Sequence, residues 1–179
     1  MSHFEYIANV AIPQEVRDEL AINAPLWDAF TVRQNFPGSP HRNTKTIPMR
    51  GASSFLSSYK PHAKRKRTAF AAMLPHTEAL VNSVLARMNV ATVGNVLCVA
   101  LEPGGEVLPH ADTGAYPEHF ERFHIVVTSP EGNWFKVADE YTQPQPGDVF
   151  FFNHRLTHSV GNPGDTPRVH IIVDVTLKD

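Results

Sequence analysis

The second half of the chain alternates between apolar and polar residues, which is the pattern of half-buried β-strands. From residue 95 onward, short segments with this period of two are separated by turns rich in glycine and proline. The alternation predicts strands at Asn95–Leu101, Arg122–Thr128, Trp134–Val137, Asp148–Asn153 and Val169–Val175. Strands of this length and spacing are typical of a double-sheet barrel or jelly roll, so we expect a mainly β fold with flanking helices.

The first half of the chain combines helical periodicity with loops. One helix is predicted after Pro13, which suits a first helical turn, and another from near Pro75. Apolar residues recur at helical spacing at Ile12, Val16 and Leu20 in the first and at Leu80, Val84, Leu85 and Met88 in the second. Prolines and glycines predict a loop-rich stretch from Asn35 to Ser58. We expect residues 1–94 to support a β core formed by residues 95–179, all within a single domain.

The composition describes a globular protein of balanced charge. The 179 residues include 16 Lys and Arg against 18 Asp and Glu, which gives a formal net charge of −2, and 42% are hydrophobic. This balance argues against nucleic acid or an anionic membrane as a partner, and no apolar run approaches the ~18 residues of a membrane span. We therefore expect a soluble, cytoplasmic protein. The basic run Lys64–Arg67 is expected to be solvated, and the lone Cys98 to be buried and inert.

A histidine and an aspartate in the predicted β region carry the first chemical signal. His110 and Asp112 are two residues apart, so on an extended strand their side chains point to the same side. A neighbouring strand that brings His158 to the same point would complete two imidazoles and one carboxylate. This set leaves coordination positions open and suits non-haem Fe(II). The spacing permits such a site, and by itself it also permits a surface His-x-Asp pair.

Cationic residues on two later strands add a second signal. Arg168 begins the last alternating strand, and Arg122 and His124 share one face of an earlier strand. The planar guanidinium matches a carboxylate with two parallel hydrogen bonds. Beside a metal, such groups would suit a small dicarboxylate that has one end on the metal and the other on an arginine.

Several motifs together resemble the aspartyl/asparaginyl β-hydroxylase family. The motifs, in chain order, are His110-x-Asp112, Arg122-x-His124, Gly147-Asp148-Val149-Phe150-Phe151, His158-x-x-x-Asn162 and Arg168, followed by an Ile-Val-Asp-Val ending. Members of this family are Fe(II)- and 2-oxoglutarate-dependent dioxygenases with a double-stranded β-helix core, which is a jelly-roll or cupin-like architecture. The resemblance covers the region from Asn95 to Val175.

The resemblance implies a role for each matching residue. His110 and His158 would ligate iron, and Arg168 would pair with the distal carboxylate of 2-oxoglutarate. Arg122 and His124 match positions that contact this co-substrate near the metal. The namesake branch lacks a carboxylate two positions after the first histidine, whereas this chain has Asp112. A complete triad of His110, Asp112 and His158 is more similar to other 2-oxoglutarate oxygenases, and short members of the family include hydroxylases of free amino acids such as proline.

The predicted activity is hydroxylation of an unactivated C–H bond in an amino acid or a peptidyl residue, with release of succinate and CO2. The substrate would be a small amino acid, a peptide or a protein, and O2 the oxidant. Two alternatives remain open from the residues: a cupin-like isomerase or hydrolase that uses zinc or manganese, and a jelly-roll binding module without catalysis. The sequence leaves the oligomeric state open.

Three further histidines and one loop carry weaker expectations. His154 is expected to lie near the metal ligands or at the surface, His170 to line the core or the pocket, and His119 to be exposed. The segment from His41 to Arg50 either borders the mouth of the active site or forms a solvated loop.

Overall fold

The computed structural model describes residues 2–54, 57 and 59–178 of the chain. The strands, in chain order, are β1 (Phe4–Asn9), β2 (Thr44–Gly51), β3 (Lys66–Arg67), β4 (Val90–Leu101), β5 (Glu106–His110), β6 (Glu121–Thr128), β7 (Trp134–Val137), β8 (Glu140–Thr142), β9 (Asp148–Phe152), β10 (His158–Gly161) and β11 (Arg168–Leu177). The helices are α1 (Gln14–Ile22), α2 (Val32–Asn35), α3 (Pro75–Leu85) and α4 (Ala115–His119), and 3-10 turns span Ala24–Asp28 and Phe70–Met73.

The strands form two antiparallel sheets. The larger sheet has the order β1-β9-β6-β11-β4-β2-β3, and the smaller has the order β5-β10-β7-β8. This arrangement confirms the predicted mainly β fold with flanking helices. None of the described helices combines the length and the apolar character needed to cross a lipid bilayer.

Strands β6 and β11, inside the larger sheet, bury both of their faces, and alternate residues serve different cores. In β11, Val169, Ile171, Val173 and Val175 belong to the core that also contains Val16 and Leu20 of α1 and Leu80 and Val84 of α3. The intervening residues Arg168, His170 and Ile172 line a cavity on the other face. A second apolar cluster, which includes Phe135 and Val160 of the smaller sheet, packs against that face. The period of two therefore separates an apolar face from a polar one.

Most predicted elements are confirmed, and one prediction was wrong. The predicted strands match β4, β6, β7, β9 and β11, although β4 begins earlier, at Val90. The predicted loop from Asn35 to Ser58 contains strand β2, which pairs with β4; Phe55, Leu56 and Ser58 lie outside the described residues. β1 joins the same sheet through β9.

The basic run Lys64–Arg67 is only partly solvated. Arg65 is buried, and its guanidinium donates hydrogen bonds to the carbonyl oxygens of Lys60, Pro61 and Ala63. It also lies 4.4 Å from the centroid of the Tyr116 ring, a distance typical of a cation–π contact. The sequence pattern treated the run as one surface feature, whereas Arg65 serves as a structural anchor.

Candidate active site

Two strands of the smaller sheet bring His110 and His158 side by side. β10 runs antiparallel to β5, and His158 is the direct cross-strand partner of His110, with their ring centroids 4.2 Å apart. Asp112 follows two residues after the end of β5, and its backbone N–H donates a hydrogen bond to the carbonyl of His154. One nitrogen of each imidazole and one oxygen of Asp112 all lie within 4.8 Å of one another.

The two imidazoles have the same hydrogen-bonding arrangement. Nδ1 of His110 lies 2.8 Å from the carbonyl oxygen of Leu108, and Nδ1 of His158 lies 3.0 Å from that of Leu156. Because a carbonyl only accepts, each Nδ1 carries the hydrogen and each Nε2 keeps its lone pair. Burial lowers the pKa of His110 and lowers that of His158 to about 4, which favours the neutral, ligating form.

The carboxylate of Asp112 is held by Arg122. Nη1 of Arg122 donates to Oδ2 of Asp112 over 2.6 Å, while Oδ1 lies 3.8 Å from Nε2 of His110. Burial alone would raise the pKa of Asp112, but the positive charge of Arg122, aided by the nearby His154 imidazole, holds it well below the usual range. Asp112 is therefore a carboxylate with one oxygen fixed and the other directed toward the histidines.

Arg122 is positioned by a second carboxylate. Its Nε and Nη2 donate to Oδ1 and Oδ2 of Asp174 over 2.8 and 3.2 Å, and the hydroxyl of Tyr116 donates to Oδ2 over 2.9 Å. Burial opposes its charge, yet the two carboxylates raise the pKa of Arg122 above its usual value. A continuous chain of hydrogen bonds therefore runs from Tyr116 through Asp174 and Arg122 to Asp112, where it reaches the candidate metal site.

The donor set fits a first-row divalent metal ion. Two neutral imidazoles with free Nε2 atoms and a carboxylate with one free oxygen leave room for further ligands. Backbone carbonyls orient both histidines, and Arg122 orients the carboxylate, which is the outer support that metal ligands usually have. These residues fit the Fe(II) that the sequence resemblance implies.

A cavity next to the histidines contains several buried polar atoms. It is partly open to solvent, and its volume is about 40 Å3. Its lining includes Arg168, His170, His124, His110 and His158. Among the described residues, Nε of Arg168 and the Nε2 atoms of His170 and His124 are buried without a hydrogen-bond partner. Buried polar groups rarely lack a hydrogen-bond partner, so these three nitrogens indicate that a ligand binds in the cavity.

Arg168 is a buried positive charge in this cavity. Its Nη2 donates to Nδ1 of His170, and its guanidinium lies 5.7 Å from the centroid of the Phe135 ring. Burial lowers the pKa of Arg168 to about 9, so the group is still charged at neutral pH. A buried cation that forms no ion pair within the described part of the chain favours an anionic ligand.

A family model described as Aspartyl/Asparaginyl beta-hydroxylase matches residues 11–177, nearly the whole chain. The chain belongs to the aspartyl/asparaginyl β-hydroxylase family. This membership confirms the resemblance drawn from the motifs.

One curated relative and several solved structures are similar to this family member. The L-proline cis-4-hydroxylase of Rhizobium meliloti (strain 1021) is 25% identical over 107 residues, which are 60% of this chain and 37% of that protein's length. A prolyl hydroxylase from Trichoplax adhaerens, solved with a hypoxia inducible factor peptide fragment, has a TM-score of 0.59 at 14% identity, over 97% of this chain and 83% of that one. A viral collagen prolyl hydroxylase from Paramecium Bursaria Chlorella virus-1, solved as its 2OG complex, has a TM-score of 0.54 at 13% identity, over 99% and 97%. At these identities the structures show the shared jelly-roll fold.

The structure brings all six predicted site residues of this β-hydroxylase family member to one region. His110, Asp112 and His158 form a cluster that could hold a metal ion. Arg168, Arg122 and His124 line the adjoining cavity. His154 is buried, with its Nδ1 3.5 Å from Oδ2 of Asp112, and His170 lines the cavity. His119 has its ring against Phe120.

Two residues of the cavity were missed or left undecided by the sequence analysis. Arg33, on the short helix α2, lines the cavity, and no periodicity or motif marked it. His41 also lines the cavity and has its ring centroid 4.8 Å from that of His110, which favours the site-bordering interpretation of its segment. Neither residue lies in a regular pattern, so only the three-dimensional fold reveals their position.

Proposed function

We propose that this chain is an Fe(II)- and 2-oxoglutarate-dependent dioxygenase that hydroxylates an unactivated C–H bond of an amino acid or peptidyl residue, with release of succinate and CO2. The observation that carries the proposal is that two features of the structure lie next to each other. A metal-ligand cluster with three free donor atoms lies beside a cavity that holds the buried, unpaired guanidinium of Arg168. Family membership and the printed name of the L-proline cis-4-hydroxylase support the same reaction class.

Each residue of the site has a defined task in this reaction. His110, Asp112 and His158 would hold Fe(II), which together with 2-oxoglutarate and O2 supplies the oxidising chemistry. Arg168 would bind the distal carboxylate of 2-oxoglutarate, with His124 and His170 beside it. These groups fix the orientation of the co-substrate before it meets the metal, and the aromatic wall formed by Phe135 and Phe152 limits the access of water.

Arg122 has two roles in this proposal. It lines the cavity, as expected for a residue that contacts the co-substrate. All three of its side-chain nitrogens also donate to Asp112 or Asp174. We therefore assign to Arg122 the orientation of Asp112 as its main role. Contact with the co-substrate near the metal is its second role.

Anaerobic titration of the purified protein with Fe(II) and then with 2-oxoglutarate tests the function. We expect a visible charge-transfer band to appear on addition of 2-oxoglutarate, because a 2-oxo acid chelated to Fe(II) absorbs there. The band should be absent from His158→Ala and present in His76→Ala, which changes an exposed histidine on α3. Metal binding without the band would favour a cupin-like isomerase or hydrolase, and a failure to bind metal would favour a binding module.

A further inference from the structure

We propose that Arg33 and His41 form a second anion subsite that binds the carboxylate of the substrate, and that the substrate is therefore a free amino acid or a similar small acid. This inference rests on the proposed function and names the substrate class for the same site. It starts from two buried nitrogens, Nη1 of Arg33 and Nδ1 of His41. Both line the cavity, and neither has a hydrogen-bond partner in the described chain.

Both of these nitrogens are hydrogen-bond donors. Nη2 of Arg33 lies 3.2 Å from Nε2 of His41, and a guanidinium can only donate, so Nε2 of His41 accepts. A ring nitrogen that accepts carries no hydrogen, so the hydrogen of the His41 imidazole is on Nδ1. The pair therefore offers two N–H groups and no acceptor, which suits a carboxylate.

The three guanidiniums around the cavity outnumber the two carboxylates by one. The guanidiniums of Arg33, Arg122 and Arg168 lie in one region with the carboxylates of Asp112 and Asp174. Arg122 takes both carboxylates, and Arg33 forms no ion pair with any described residue. Burial, followed by repulsion from Arg122, lowers the pKa of Arg33 to about 10, so it stays charged at neutral pH. A ferrous ion and the dianionic co-substrate would cancel each other, so the excess positive charge at Arg33 favours a substrate that presents a carboxylate there.

The location of Arg33 separates it from the subsite assigned to the co-substrate. Arg33 bonds to His41, whose ring packs edge-on against His110. Arg168 lies against Phe135, whose ring stacks with His158. The guanidinium of Arg33 is thus connected to His110 through His41, and that of Arg168 is connected to His158 through Phe135. Since 2-oxoglutarate would occupy Arg168 and the metal, the acid at Arg33 belongs to the second reactant.

This subsite distinguishes between the two substrate classes that the proposed function allows. An internal peptidyl residue presents neutral amide groups on both sides, which would leave the charge of Arg33, with its buried Nη1, without a counter-ion. A free amino acid carries the carboxylate that Arg33 and His41 match. A charge-assisted pair of this kind is worth about 1.5–3 kcal/mol, or roughly a tenfold to hundredfold difference in affinity.

Binding measurements on the full chain loaded with Mn(II) and 2-oxoglutarate test this subsite without turnover. The probes are the twenty amino acids and their carboxamides, screened by the shift in melting temperature and then titrated by calorimetry. We expect at least one amino acid to bind about tenfold to a hundredfold more tightly than its amide. Arg33→Met should remove this preference, and Arg33→Lys, which keeps the charge, should retain part of it. Arg42→Met, which changes an exposed arginine in the same region of the chain, should leave it intact.

The affinity for 2-oxoglutarate, measured in the same samples, separates the possible failures. It should be equal in the unmodified chain and in Arg33→Met, which also shows that the variant is folded. If 2-oxoglutarate does not bind the unmodified chain, the proposed function fails and this inference falls with it. If 2-oxoglutarate binds but no amino acid does, or amides bind as well as acids, only the inference is overturned. A loss of 2-oxoglutarate affinity in Arg33→Met, with normal melting, would place Arg33 in the co-substrate site and likewise overturn it.

Discussion

Single residues of the site fall into two groups according to their hydrogen bonds. Arg122 and Asp174 are buried charges that have each other as partners, so they hold a fixed geometry. Arg168 and His170 keep buried nitrogens that have no partner among the described residues. A buried donor without a partner costs free energy, and a bound ligand removes that cost. The first group builds the site, and the second marks where ligands bind.

Replacement of Arg168 should affect binding of 2-oxoglutarate far more than folding. In Arg168→Met the distal carboxylate loses its cation, so we expect the dissociation constant for 2-oxoglutarate to rise about tenfold to a hundredfold. The melting temperature should change little, because methionine fills similar space and a buried, unpaired charge disappears. Anaerobic titration of the charge-transfer band measures the constant. Arg87→Met, at an exposed position, is the control, and an unchanged constant in Arg168→Met would contradict the assignment.

Replacement of Asp174 should weaken metal binding although Asp174 is not a ligand. In Asp174→Asn, Arg122 keeps only Asp112 as a charged partner, so the orientation of that ligand loosens. Loss of such outer support typically lowers metal affinity about tenfold to a hundredfold. Titration with Mn(II) followed by electron paramagnetic resonance gives the affinity, with Asp165→Asn at an exposed position as the control. Equal affinities in both variants would show that Arg122 orients Asp112 without help from Asp174.

At the level of elements, the site depends on the close approach of α4 to β4. Gly94 of β4 lies under Tyr116 of α4, and a Cβ atom there would be 2.6 Å from the Tyr116 hydroxyl and 3.0 Å from the Phe120 ring. The same hydroxyl accepts a hydrogen bond from the Asn95 N–H and donates one to Asp174. The absence of a side chain at Gly94 therefore lets α4 support the chain of hydrogen bonds that reaches Asp112.

Gly94→Ala should reduce both stability and metal affinity. The added methyl group forces Tyr116 and Phe120 away from β4, at a cost of about 1–3 kcal/mol in the free energy of unfolding. Urea denaturation measures this cost. Gly51→Ala is a matched control, because its Cβ would meet only Oδ1 of Asn95, at 3.9 Å. Unchanged unfolding of Gly94→Ala would mean that α4 moves freely relative to β4.

The elements also show which parts of the fold a sequence can reveal. β6 and β11 were predictable because apolar side chains recur at every second position on their helix-facing sides. β2 was missed because Thr44 and Thr46 are polar residues that are nonetheless buried, and because Pro48 and Gly51 signal a loop. Arg33 was missed because α2 has only four residues and no periodicity. His110 and His158 were predictable as candidate metal ligands from motif and spacing. Their position next to Arg33 was not, because it depends on long-range folding.

At the scale of the whole molecule, the candidate site joins the two sheets. His110 and His158 belong to the smaller sheet, whereas Arg168 and His124 belong to the larger one. A metal ion bound to the first pair and a co-substrate that reaches Arg168 would therefore connect both sheets. Ligands that bind only the folded state stabilise it by a free energy of RT ln(1 + [L]/Kd), where [L] is the free ligand concentration. Bound metal and 2-oxoglutarate should accordingly stabilise the molecule as a whole.

Cys98 offers a direct measurement of this effect. It lies in β4 with no exposed surface, in the core between the larger sheet and the helices, and burial raises its pKa to about 12. Alkylation at pH 8 therefore requires the core to open, and we expect the folded chain to react far more slowly than the urea-unfolded chain.

Mn(II) with 2-oxoglutarate at about 100 times its dissociation constant should slow labelling roughly a hundredfold further, equivalent to about 2.7 kcal/mol. In Arg168→Met, the slowing due to Mn(II) should persist, and the part due to 2-oxoglutarate at the same concentration should fall to about twofold to elevenfold. Rapid labelling of the folded chain, or labelling insensitive to both ligands, would show that β4 opens locally and that the site does not couple the two sheets.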